Sequence, residues 1–382
     1  MVEENAIQNF KEMKLEDLQT PTLLVDLDVF EENCKRMLAT ANGANVKLRC
    51  QTKTHKTVEG AIIQTGGTKR CIVTSTLNEC EMYAEAGFDD ILYGFPLLQA
   101  HMKRNYKLTA ALDEYHVMVS NMEGADILLS ATPPPNKRWS VYMKVDCGYP
   151  RFGIPSRHEM CEKVARKLAS APSIVNFCGL YAHCGNSYSS DSVEAVHKAR
   201  DGAIQEIVQL ADKFRSLGIP IKEIGTGSTP SCSHPSSSMK QLTEIHPGNY
   251  IFYDLQQHLL GSCSKENISA SVLTRVVGHS VERNELLIDA GSSALSGQGF
   301  EQLNKSLALI KNHDHFTLYK VTQEIGFVRP RNGETIDFAS YPLGMLLQLY
   351  QYHNCDTASR YPVYHIMKDG VVVDEWRPTR GW

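Results

Sequence analysis

Short β-branched runs alternate with helix-patterned segments between residues 45 and 253, and few folds accept that rhythm. The candidate strands are 45–49, 71–75, 90–94, 115–119, 140–145, 177–183, 221–226 and 250–253. Between them lie segments of helical period, such as 77–86, with Leu77, Cys80, Tyr83 and Ala84 on one face, and 193–217. Such alternation predicts parallel pairing, because each crossover helix carries the chain back along the sheet. Eight repeats predict an α/β fold closed into a (β/α)8 TIM-like barrel; an open doubly wound sheet is the alternative.

After Gly261 the pattern changes. Segments 272–277, 285–289, 316–323 and 371–376 read as strands, with turn residues at Gly278-His279, Asn332-Gly333 and Asp369-Gly370. Long helical patterns are missing there. The expected division is a barrel over 20–262 and a mostly β C-terminal domain over 263–382, joined by residues 1–19. Pro133-Pro134-Pro135-Asn136 reads as a surface loop of the first domain.

A net charge of −4 gives no electrostatic case for nucleic-acid or membrane binding. No apolar run reaches the roughly 18 residues of a membrane span. The acidic opening Met1-Val-Glu-Glu-Asn-Ala6 lacks an apolar leader pattern. Eleven scattered cysteines then read as reduced thiols, so a cytoplasmic enzyme is expected.

Barrel chemistry collects at the C-terminal ends of strands. The first such end is Gln51-Thr-Lys53-Thr-His55-Lys56-Thr57, where two lysines and a histidine bunch as a buried strand runs out. A desolvated amine there has a depressed pKa and can form a Schiff base with an aldehyde. A salt-bridged barrel lysine is the other reading of Lys53, and a solvated helix-start residue that of Lys56. His55 reads as a positioning or satisfied polar residue. Later ends carry Lys144-Val-Asp146-Cys-Gly148-Tyr-Pro-Arg151, in which Arg151 either caps a loop or donates to a cofactor oxygen, and Tyr181-Ala-His183-Cys-Gly185-Asn186.

Gly225-Thr-Gly227-Ser228-Thr229-Pro-Ser231 is suited to a phosphate: glycines admit close backbone approach, and N–H groups and hydroxyls donate. A flexible turn is the alternative, and His246-Pro-Gly248-Asn249-Tyr250 at the next strand favours the phosphate. Farther on, His353-Asn354-Cys355 places two metal-ligating side chains two residues apart. On an extended segment they would point the same way, as two ligands of one zinc would; a buried Cys beside a surface His is the plainer reading.

Lys53-Thr-His-Lys-Thr57, Tyr181-Ala-His-Cys-Gly-Asn186, Gly227-Ser-Thr-Pro-Ser-Cys-Ser-His-Pro235 and His246-Pro-Gly-Asn-Tyr-Ile-Phe-Tyr-Asp-Leu-Gln-Gln257 together resemble one family, the eukaryotic D-serine dehydratases. That family stands with D-threonine aldolase and alanine racemase among the fold-type III pyridoxal-phosphate (PLP) enzymes. The resemblance extends from Thr20-Pro-Thr22 to Arg380-Gly-Trp382. It implies that Lys53 carries PLP as a Schiff base, with the phosphate on Gly227, Ser228, Thr229, Gly248 and Asn249. It also implies that Arg151 donates to the phenolic oxygen, that Tyr181 and His183 line the ring, and that His353 and Cys355 bind Zn2+. A homodimer whose active site forms between one barrel and the partner's β domain is implied as well.

The implied reaction turns D-serine, or a related β-hydroxy D-amino acid, into a 2-keto acid and ammonia, with Lys53 taking the α-proton and zinc assisting loss of the hydroxyl. Two positions depart from the family pattern. Arg49-Cys50-Gln51 stands where the family has Arg-Pro-His or Arg-Ala-His, and Glu324-Ile325-Gly326 where it has Glu-His-Gly. An amide at position 51 hydrogen-bonds but takes up no proton, so rate and substrate preference are affected before fold or PLP binding. The rival readings are retro-aldol cleavage, as by a D-threonine aldolase, and a non-enzymatic PLP-binding protein; Cys355 argues against the first.

Overall fold

The computed structural model describes residues 12–382. The acidic opening segment, and the first eleven residues of the expected 1–19 join, lie outside the described residues. The chain divides into two compact units. One takes Glu31–Ile251, Gln257–Ser264 and Thr379–Trp382; the other takes the chain up to Phe30, Phe252–Gln256 and Lys265–Pro378.

The first unit is the barrel. Its strands, all parallel, are Ile72–Thr74, Asp90–Pro96, Glu114–Val119, Trp139–Asp146, Val175–Ala182, Glu223–Thr226, Glu244–Ile245 and the interrupted segment 47–51. That segment closes the ring, because Lys47–Leu48 pairs with Glu244–Ile245 and Cys50–Gln51 with Ile72–Thr74. The expected strand at 250–253 does not form: Asn249–Ile251 is a 3-10 turn, and the eighth strand is Glu244–Ile245. The apolar run at 250–252 is buried as a turn, without strand pairing.

Helix starts in this unit follow side-chain capping. Thr76 Oγ1 accepts from Glu79 N at 3.2 Å, opening Leu77–Glu85, and Ser192 Oγ accepts from Ala195 N at 3.1 Å, opening Val193–Ser216. Inside the barrel, Val73, Leu92, Met118, Tyr142, Cys178 and Tyr181 form an apolar layer. Below it lies a charged one. Arg49, 1% exposed, donates to Glu244 Oε2 at 2.9 Å and to Asp90 Oδ1 at 2.6 Å, tying three strands together. Burial pushes the Glu244 carboxyl up, but Arg49 and His246 outweigh it and bring the pKa to about 2.

The second unit is built on Ala270–Ser280, antiparallel to Thr22–Asp26, Leu346–Gln351 and Glu285–Ile288. Leu18, Leu24, Leu273 and Val372 form part of its core. Thr22–Asp26 had been expected in the barrel; its run Thr-Leu-Leu-Val is buried because it lies between two neighbouring strands of this sheet. The turn expected at Gly278-His279 is instead a β-bulge, with the register shifting between Val276 and Gly278. Asp369-Gly370 does form a turn, whereas Asn332 lies in a bend and Gly333 in irregular chain after the strand Gly326–Pro330. The last four residues return to the barrel unit, where Thr379 N donates to Lys56 O at 2.9 Å.

Candidate active site

The chain leaves the closing barrel strand at Gln51 and turns at once, so Lys53 stands exposed at the C-terminal rim. Lys56 has a partner: its Nζ lies 3.1 Å from Oε1 of the fully buried Glu79. No ion pair to Lys53 forms among the described residues, so it is Lys56, expected as a solvated helix-start residue, that is salt-bridged. His55 is fully buried, its Nδ1 2.9 Å from Thr57 Oγ1 and its Nε2 3.2 Å from Gln64 Oε1. Burial lowers its pKa to about 4, so it is neutral and shapes the loop.

On the strand Trp139–Asp146, Tyr142 and Lys144 share the inward face because alternate residues point the same way. Lys144 is 2% exposed, and its Nζ has no hydrogen-bond partner among the described residues. The amine lies 4.4 Å from the centre of the Tyr181 ring and 5.5 Å from that of Phe152. Burial first, and the Arg151 guanidinium second, bring its pKa down to about 7. The loop after this strand is set by Asp146, whose Oδ1 accepts from Gly148 N at 2.8 Å and Tyr149 N at 2.7 Å. Arg151 follows, exposed, its guanidinium 5.3 Å from the Phe152 ring centre.

Tyr181, at the end of Val175–Ala182, stacks on His246, centroids 4.0 Å apart and planes within 5°. His246 Nε2 lies 2.9 Å from Glu244 Oε1. The His183 Nδ1–H donates to Gly227 O at 3.1 Å, orienting the other ring nitrogen. Burial, then the charges of Lys144, Arg151 and Lys53, hold the His183 pKa well below its usual value, so four basic side chains share this rim.

At three glycines beside this rim the neighbouring chain leaves no room for a side chain. A Cβ on Gly225 would meet the His246 ring at 2.3 Å, one on Gly227 the Cys232 sulfur at 2.8 Å, and one on Gly248 the Gln51 Cβ at 3.0 Å. Ser228 caps Thr229–Ser233 in a reciprocal box with Ser231, and its Oγ also lies 2.8 Å from Ser187 Oγ. Gly248 N donates to Thr229 Oγ1 at 3.4 Å, linking the two glycine turns, and Asn249 beside them is buried.

His353 and Cys355 belong to the other unit. They do not share an extended segment: His353 is the residue before the short helix Asn354–Ala358, and Cys355 is inside it. His353 Nδ1 lies 3.0 Å from Gln298 Oε1.

The sequence reading passed over Lys144, although its strand parity with Tyr142 was a usable signal. It also missed the His246 stack on Tyr181, for which no local pattern existed.

Residues 25–256 match the alanine racemase N-terminal domain family, and residues 269–367 match a serine dehydratase domain. The chain is 33% identical to the D-serine dehydratase of Dictyostelium discoideum, over 96% of this chain and 98% of that one. It is 29% identical to the D-serine dehydratase of Schizosaccharomyces pombe, over 96% and 93%. Among solved structures it is similar to the D-threo-3-hydroxyaspartate dehydratase from Delftia sp. HT23, with a TM-score of 0.91 at 26% identity, covering 97% of this chain and all of that one. No helix among the described residues is long and apolar enough to cross a membrane. With a barrel of this kind and near full-length matches on both counts, the chain belongs to the D-serine dehydratase family of fold-type III pyridoxal-phosphate enzymes.

Proposed function

We propose that this chain is a PLP- and zinc-dependent dehydratase that converts D-serine, or a related β-hydroxy D-amino acid, to a 2-keto acid and ammonia. The observation that carries the reading is the contrast at the barrel rim: Lys56 is committed to buried Glu79, while Lys53 ends in no ion pair among the described residues. The residues suit an anionic, phosphate-bearing ring. A buried amine without an acceptor, Lys144, and glycine turns whose backbone N–H groups carry no side chain in front of them are what such a group would use.

Lys53 holds the cofactor covalently and moves the proton at the substrate Cα. Gly227, Ser228, Thr229, Gly248 and Asn249 hold the phosphate through backbone N–H groups and side-chain donors. Arg151 donates to the ring oxygen, while Tyr181 and His183 line the ring. Because His183 is held neutral, it adds no further positive charge to a rim that already carries Lys53, Lys144 and Arg151. PLP, when bound, supplies the electron sink that makes the Cα proton acidic.

His353 and Cys355 hold the zinc, an imidazole nitrogen and a thiolate being donors that zinc favours. Two solved D-threo-3-hydroxyaspartate dehydratase variants, one with a His and one with a Cys changed to Ala, differ at positions two apart, and the Cys variant is in a metal-free form. Zinc, when bound there, would supply Lewis acidity toward the substrate's β-hydroxyl. The functional species is a homodimer, in which the second copy's β unit completes the site. The test is pyruvate formation from D-serine by the purified protein, with and without chelator, beside 3-hydroxyaspartate and D-threonine. Glycine and an aldehyde in place of a keto acid would mark an aldolase instead.

A further inference from the structure

We propose that Asp90, Glu114 and His116 form a second metal site, for a divalent transition ion of the zinc class, at the N-terminal mouth of the barrel. Their ligating atoms all lie within 4.8 Å of one another. The strand register creates the cluster: Asp90 pairs with Glu114 across neighbouring strands, and His116, two residues on, shares Glu114's face. Glu114 and His116 line an open cavity of ≈ 350 Å³, and the Glu114 side chain is 53% exposed, so an ion has a way in.

His116 supplies the second observation. It is 4% exposed, and its Nε2 has no hydrogen-bond partner among the described residues. That nitrogen lies 3.4 Å from Asp90 Oδ1 and 3.6 Å from Glu114 Oε2. A charge-assisted hydrogen bond closes at about 2.8 Å, so both separations are long for one. They are close to the edge of a tetrahedron drawn around zinc, about 3.3 Å for ligands at about 2.0 Å.

The other ring nitrogen is already oriented. Asn176 Nδ2 donates to Ser140 Oγ at 3.4 Å, His116 Nδ1 lies 2.7 Å from the same oxygen, and the serine hydroxyl faces Cys178 Sγ at 2.9 Å. In the tautomer with the proton on Nδ1, the usual one for a ligating histidine, the Nε2 lone pair is directed at the two carboxylates.

Charge agrees. Asp90 shares Arg49 with Glu244, and among the described residues the cation besides His116 that reaches Glu114 is Arg70, only at 4.0 Å. A dication neutralises the excess, and water fills the fourth position. Bound there, the ion would clamp Asp90–Pro96 to Glu114–Val119 at the barrel's base, the face associated with stability. The proposal does not rest on the dehydratase reading. A protonated His116 bridging the two acids is the competing occupant.

The test is Zn2+ calorimetry and Co2+ absorption on chelator-stripped, PLP-loaded protein carrying His353→Ala and Cys355→Ala, which removes the other zinc pair. One equivalent of tight Zn2+ is expected, together with a raised melting temperature. Glu114→Gln, on a half-exposed side chain that should fold, is expected to weaken binding by at least about tenfold, and His116→Gln more. No Zn2+ uptake in the double variant would overturn the site in favour of the imidazolium bridge. Uptake unchanged by both Glu114→Gln and His116→Gln would make the ion adventitious and overturn it equally.

Discussion

The Lys144 amine stands 4.4 Å from the centre of the Tyr181 ring, buried, with an aromatic face where an acid would ordinarily be. Its folded pKa, about 7, lies below the usual lysine value of 10.5. Between those values the unfolded chain binds more protons than the folded one, so stability rises with pH across that window. Urea titrations of the PLP-free protein from pH 6.5 to 9 should show a rising midpoint. Lys144→Met should be flatter over the same range, and an equal slope in both proteins would refute the assignment.

Lys53→Ala should abolish borohydride-reducible PLP and lower turnover by about 10²–10⁴-fold or more, the range for loss of a positioned acid–base group. Lys56→Ala should keep the cofactor and lose stability, since it strands the buried Glu79 carboxylate. A swap of these two phenotypes, read by absorbance and by mass after reduction, would move the covalent link to Lys56.

Cys355→Ala should leave the PLP absorbance intact while pyruvate formation from D-serine collapses and becomes indifferent to chelator. Metal analysis of the same sample should show less zinc than in the parent. Full activity in this variant would remove zinc from the proposed reaction.

Arg49→Met should cost about 3–5 kcal/mol, because Asp90 and Glu244 would each keep a buried charge without its partner. Arg49→Lys should recover only part of this, since one ammonium cannot span both acids as the guanidinium does. Denaturant midpoints of the three proteins decide it.

Much of the barrel was legible because its strands are buried on both faces and so read as unbroken β-branched runs, as in Ile72–Thr74. The eighth strand was not: Glu244–Ile245 holds an acid whose burial is made tolerable by Arg49, nearly two hundred residues away. Local pattern favoured the apolar 250–253 in its place. The barrel was expected to begin at residue 20 for a related reason, since nothing local in Thr22–Asp26 reveals that it joins the other sheet. At the rim, the lysine loop and the glycine turns stood out through residue types that a core would exclude. The resemblance singled out Lys53, but the pairing of Lys56 with Glu79, between a loop and a helix, is a contact that no spacing rule encodes.

Segment 47–51 is stitched to a neighbour on each flank, so its phase cannot drift. A single residue inserted there would turn every side chain inside out. The guanidinium at its centre would face the outer helices, and two interior acids would be left stranded. Surface loops elsewhere in the barrel can lengthen with little penalty, but these five positions should tolerate neither a gain nor a loss.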